Sequence, residues 1–235
     1  MKLLEKLKIN CDFIDLTHSL SPSVPLWEGG CGFSHRILID YLDCTTETKF
    51  RVQQMTLHAG VGTHMDAPAH CIPGGAFVGD IPVSQLIGPC VVMDVSSLSH
   101  ANYLLSVEEI LKFEEQQGAL KPGDIFLVHT GWGKKWNDPD QYRNGLEFPS
   151  ISEEAALLLK ERKVAAVGID TLGVDQPSSG YPAHRILLGV GIILIENVAN
   201  ILQMPTRGGV IFCLPLKAVD LTEAPVRLIG LKEKR

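Results

Sequence analysis

The sequence has no cluster of basic residues. Its 21 lysines and arginines stand against 27 aspartates and glutamates, a formal charge of −6. A phosphate-gripping surface needs the opposite balance, so no nucleic-acid partner is expected. Lys134-Lys135, the most evident internal basic pair, reads as a solvated loop. No apolar run is long enough to cross a bilayer, and no membrane association is expected. The most apolar stretch, Ile186 to Ile195, is short and broken by two glycines, whereas a span needs about 20 residues. The segment Met1-Lys2-Leu3-Leu4-Glu5-Lys6-Leu7-Lys8 mixes charged with apolar residues and does not read as a secretory signal. A Cys-x-x-Cys pair is also missing. Six scattered cysteines (Cys11, Cys31, Cys44, Cys71, Cys90 and Cys213) suit reduced thiols in a cytoplasm better than a disulfide framework or zinc knuckle. There is no internal repeat, low-complexity segment or linker.

What is present is an ordinary globular balance, 45% hydrophobic and 20% charged, over 235 residues. That length can bury a sizeable core. Strands are predicted over 13–20, 33–42, 49–57, 90–95, 125–128, 164–170, 192–196 and 210–214. Ser106 and Glu109 form a capping-box pattern that opens a helix ending by Gly118. Ser152 precedes a second helix, Glu153 to Lys163, with an apolar face of Ala156, Leu157, Leu159 and the stem of Lys160. After Pro215 the chain reads as a tail. Strands alternating with helices predict one α/β domain over residues 1–235.

The chemistry gathers in the run Leu57 to His70. His58, His64, Asp66 and His70 all fall at even positions, separated mainly by small residues. An extended chain would turn them to one side. Imidazoles with a carboxylate, and no thiolate, form a ligand set for zinc, manganese or iron(II). Glu196 ends an apolar strand, where a buried carboxylate would need a cation. Asp170 and Asp175 bracket a loop and read either as turn residues or as groups that orient a ligand. His129 reads as structural or pocket-lining. Trp27, between prolines and glycines, reads as packing under a loop or as part of a substrate wall. Cys71, beside His70, opens a thiol-nucleophile reading, although sequence neighbours seldom form a nucleophile–base pair.

The pattern Gly62-Thr63-His64-x-Asp66-x-Pro68-x-His70 resembles the signature of the metal-dependent cyclase/hydrolase family, which includes bacterial kynurenine formamidase and isatin hydrolase. Leu16 to Leu20, Pro25-Leu26-Trp27, His129 to Trp132, Gly168 to Asp175, and His184 with Glu196 extend the likeness over most of the chain. The resemblance implies a swivelling β/β/α fold and a homodimer. It implies a divalent metal, zinc or manganese as one or two ions, held by His64, Asp66, His184 and Glu196. His70 would transfer protons and Trp27 would line the substrate pocket. The implied activity is hydrolysis of a small-molecule amide, formamide or cyclic amide/ester, in the manner of an arylformamidase. Where the family has its first histidine this chain has Gly60, and His58, two residues earlier, becomes a further candidate ligand. A non-catalytic metal- or ligand-binding protein that kept the fold after losing that ligand is the alternative.

Overall fold

The computed structural model describes residues 2–234. Its helices are α1 (Leu3–Asn10), α2 (Val107–Gln117), α3 (Pro139–Arg143), α4 (Glu153–Arg162) and α5 (Pro182–Leu188). Its strands begin with β1 (Cys11–Asp15), β2 (Phe33–Ile39), β3 (Val52–Leu57), β4 (His64–Asp66), β5 (Ile87–Asp94) and β6 (Leu104–Leu105). They continue with β7 (Ile125–His129), β8 (Ser150–Ile151), β9 (Ala166–Ile169), β10 (Ile193–Glu196), β11 (Gly209–Pro215) and β12 (Glu223–Glu233).

Seven strands close into a barrel in the order β12-β11-β5-β7-β9-β10-β4, with β4 pairing back onto β12. Strands β5, β7, β9 and β10 run parallel to one another, and the remaining ladders are antiparallel. Parallel strands need crossovers, and α2, α4 and α5 lie in those connections. β12 is long enough to serve two neighbours on one side: its start pairs with β4 and its end with β1.

The parallel strands read as continuous apolar runs because both faces are covered. Cys90, Val92, Ile125, Leu127, Ile193 and Ile195 fill the barrel interior. Their neighbours Val91, Met93, Phe126, Val128, Val167 and Leu194 pack outward under Ile110, Leu159 and Leu187 of the helices. This alternation fixes the site. Met65 and Ile195 point into the barrel, so His64, Asp66 and Glu196 point out of it, toward α5. Gly168 permits a close approach on the inner face, where an added Cβ would meet Leu127 Cδ2 at 2.5 Å.

The capping box is present in both halves. Ser106 Oγ accepts from the Glu109 backbone N–H at 3.3 Å, and Glu109 Oε2 accepts from that of Ser106 at 2.9 Å; such a cap contributes about 1 kcal/mol. Ser152 caps α4 through the Ala155 N–H. Its buried face is Ala155, Ala156, Leu158 and Leu159, while Leu157 is 42% exposed and Lys160 is also exposed. The expected face was therefore rotated, because it followed one helical stripe without fixing the rotation against the sheet. β1 stops early, where Asp15 Oδ1 accepts from the Thr17 N–H and begins a turn. The predicted tail after Pro215 is instead β12, the strand that closes the barrel. Ala224, Val226 and Leu228 do alternate, but Pro225 and Gly230, residues disfavoured inside strands, mask the pattern.

Candidate metal centre

The run from Leu57 to His70 is not one extended strand. Gly62 turns the chain with φ of +67°, a conformation glycine adopts without strain. After Leu57, the last residue of β3, only His64–Asp66 is strand, and Pro68–His70 forms a 3-10 turn. His58, His64 and His70 nevertheless line one cavity of about 420 Å³, together with His184, Glu196 and Glu223.

The register across β4 and β10 sets His64 opposite Glu196. His64 Nε2 lies 3.4 Å from Glu196 Oε2 and 3.6 Å from Asp66 Oδ1. From the start of α5, His184 Nε2 lies 3.5 Å from Glu196 Oε1 and 3.8 Å from Asp66 Oδ2. These separations exceed hydrogen-bond lengths. They suit donors arranged around a divalent ion, since bonds of about 2.0–2.2 Å put tetrahedral ligands roughly 3.4 Å apart.

Each histidine is held from behind. His64 Nδ1 is 2.9 Å from the Gly62 carbonyl, which makes Nδ1 an N–H donor and turns Nε2 toward the carboxylates. His184 Nδ1 donates in the same way to Asp175 Oδ2 at 2.8 Å. Asp175 is itself fixed by the backbone N–H groups of Ala183 and His184. Gly62 is anchored in turn by Asn197, whose Nδ2 donates to its carbonyl at 2.9 Å. Imidazoles backed by a carbonyl or carboxylate are the usual support for metal-binding histidines.

Electrostatics point the same way. Both Asp66 carboxylate oxygens are buried without a hydrogen-bond partner, which is costly for a carboxylate unless a cation satisfies it. Burial, and then the neighbouring charge of Glu196, push the Asp66 pKa up to about 6. Burial alone would lower His64, but Glu196 and Asp66 raise it to about 9. Burial likewise opposes the rise at His184, which Asp175 and Glu196 carry well above the ordinary imidazole value. Glu196 falls to about 2 against its burial because both histidines face it. The carboxylates thus draw positive charge into this space. A divalent cation fits the donor set.

The other sequence candidates are distributed around this centre. His70 stands at the rim, its ring centroid 6.0 Å from that of His184 and its Nδ1 3.5 Å from Glu223 Oε2. Trp27 lines the cavity, 6.3 Å from Tyr181 and edge-on to Phe148 at 5.9 Å. His58 lines the same cavity but is solvent-exposed. It lies outside the two groupings of close donor atoms, Asp66/His70/His184 and His64/Asp66/Glu223. His129 lies elsewhere, 3.2 Å from Asp170 Oδ2, and Asp170 is occupied by Thr130 rather than by this centre. Cys71 reaches the cavity, but burial pushes its thiol pKa up, the wrong direction for a nucleophile. Glu223 was missed altogether. The sequence signal was a carboxylate opening an alternating run, the counterpart of Glu196 at a strand end.

Fold and site together define a mixed α/β barrel protein with a buried histidine–carboxylate centre in a cavity sized for a small molecule. The chain belongs to the Cyclase family, whose model matches residues 14–176. It is 28% identical to kynurenine formamidase of Bacillus cytotoxicus over 226 residues, 93% of this chain and 96% of that one. Isatin hydrolase A from Ralstonia solanacearum superposes with a TM-score of 0.88 at 28% identity, covering 99% and 98% of the two chains. A potential metal-dependent hydrolase with cyclase activity superposes with a TM-score of 0.74 at 26% identity, covering 96% and 100%.

Proposed function

We propose that this protein is a metal-dependent hydrolase acting on a C–N bond other than a peptide bond, in a small-molecule amide, formamide or cyclic amide, or on the matching C–O bond of a cyclic ester. The carrying observation is the pair of buried, unpartnered Asp66 oxygens facing the Nε2 atoms of two histidines. His64, Asp66, His184 and Glu196 would hold the ion, zinc or manganese. When bound, a divalent cation there would polarise a carbonyl and lower the pKa of adjacent water toward about 7.

The chain's own groups supply the rest. Asp175 and the Gly62 carbonyl keep both imidazoles in the required tautomer. His70 takes the proton that water loses as its oxygen bonds to the carbonyl carbon. It returns that proton to the nitrogen as the C–N bond breaks, or to the ring oxygen in an ester. The tilted rings of Trp27 and Tyr181 give the cavity an aromatic wall that suits an aromatic substrate such as isatin or N-formylkynurenine.

Chelator treatment followed by assay on isatin, N-formylkynurenine and simple lactones tests the proposal. Hydrolysis of one of them should vanish on metal removal and return with manganese or zinc. Metal-replete protein that hydrolyses none would instead favour a binding role.

A homodimer is part of the same proposal. The β2–β3 hairpin leaves Leu38 52%, Leu42 98% and Met55 63% exposed, an apolar surface that a second copy would cover. Light scattering on the purified chain should give twice the monomer mass, and a monomeric result would remove this part. No helix among the described residues is long and apolar enough to cross a membrane. All six cysteines are free, which supports a reducing, cytoplasmic setting; a fractionation that finds the protein elsewhere would refute it.

A further inference from the structure

Gly60 lies beside the centre with no side chain, and the room is taken from another part of the chain. A Cβ added there would sit 2.7 Å from Glu223 Oε2 and 3.0 Å from its Cδ. Glu223 opens β12 directly opposite Asp66 in the ladder to β4. Its neighbour Ala224 faces the barrel interior, so strand alternation turns Glu223 outward, onto the face that carries Asp66. One donor atom from each of His64, Asp66 and Glu223 lies within 4.8 Å of the other two. Asp66, in the middle of that group, has two buried oxygens without partners.

We propose that Glu223 is itself a metal ligand, a third carboxylate that the last strand delivers through the gap at Gly60. The proposal rests on the reading of this site as a metal centre. It explains why a glycine is compatible with a working centre at position 60, and why His58 need not reach inward. It also enriches the ligand set in oxygen, which favours manganese relative to a purely histidine-rich site.

The test is direct Mn²⁺ binding by the full chain stripped with chelator, with free Mn²⁺ read from its paramagnetic resonance signal. Removing an outer-shell partner of a metal site typically costs about 10–100-fold in affinity, and loss of a ligand should cost no less. Glu223→Gln should therefore weaken binding at least about tenfold. Gly60→Ala should do the same without altering β12, because its new Cβ displaces the Glu223 carboxylate. The double variant should be little weaker than either single one, since both remove the same contact. His64→Ala serves as the reference. If Glu223→Gln and Gly60→Ala bind Mn²⁺ like the unaltered chain while His64→Ala does not, Glu223 is not a ligand and the metal-centre reading survives. If all three bind like the unaltered chain, the metal-centre reading itself fails. Should Glu223→Gln not fold, Gly60→Ala alone decides.

Discussion

Asp175 holds the Nδ1–H of His184 at 2.8 Å and thereby decides that the other ring nitrogen faces Asp66 and Glu196. The contact spans the turn into α5, where two backbone N–H groups grip the same carboxylate. Asp175 does not itself line the cavity and reaches it only through His184, so it acts by positioning.

Asp175→Asn should cost about 10–100-fold in metal affinity, because an amide oxygen holds the imidazole less firmly and its nitrogen can favour the wrong tautomer. Metal titration of the stripped protein measures this, and the fold should survive. Unchanged affinity would show that α5 alone orients His184.

His70 is exposed at the rim with its Nδ1 3.5 Å from Glu223, although one ring nitrogen also comes within 4.8 Å of donor atoms of Asp66 and His184. On the proposed reading, removing His70 should separate chemistry from metal binding. His70→Ala should lower kcat by roughly 10²–10⁴-fold while metal content, measured on the same preparation, stays constant. Loss of metal in parallel with activity would place His70 among the ligands instead.

His18 stacks on Trp136 with ring centroids 3.8 Å apart and planes 10° from parallel, and its Nε2 is buried without a partner. Burial lowers its pKa to about 4, partly offset by the charge of Asp170. An unfolded histidine titrates near 6.5. Protonation therefore favours the unfolded chain, and the associated stability is present above pH 6.5 and lost as pH falls toward 4. The full loss is at most about 3 kcal/mol. His18→Phe keeps the stack and removes the titration, so denaturant unfolding across this range should show a shallower acid limb than in the unaltered chain. Equal slopes would mean that His18 is hydrated in the folded protein.

The parts of this molecule that local chemistry dictates could be read from residues alone. Ser106 with Glu109 announces α2, and the apolar runs around Val92, Leu127 and Ile193 announce the buried strands. The spacing of His64 and Asp66 on one side of Met65 foretells their shared outward face. Less legible was whatever depends on the closing of the ring. Nothing near Glu223 marks it as a neighbour of Asp66, because that proximity exists only once β12 pairs with β4. The rotation of α4 failed for the same reason, since Leu157 and Leu158 are chemically alike and only the sheet distinguishes them. The common orientation of His58, His64, Asp66 and His70 was expected from strand parity. The chain instead brings the three histidines to the cavity wall through a glycine turn, a three-residue strand and a 3-10 turn.

The strand that completes the ring is also the last one synthesised among those described. While β12 is still inside the ribosome, β4 has no partner on that side, and His64 and Asp66 sit on an open edge without Glu223. Assembly of the centre is thus a late, long-range event, linking segments far apart in the chain, which slows folding. On the proposed reading, a chain in which β12 has not yet paired with β4 lacks Glu223 at the centre, so the full ligand set exists only after that pairing.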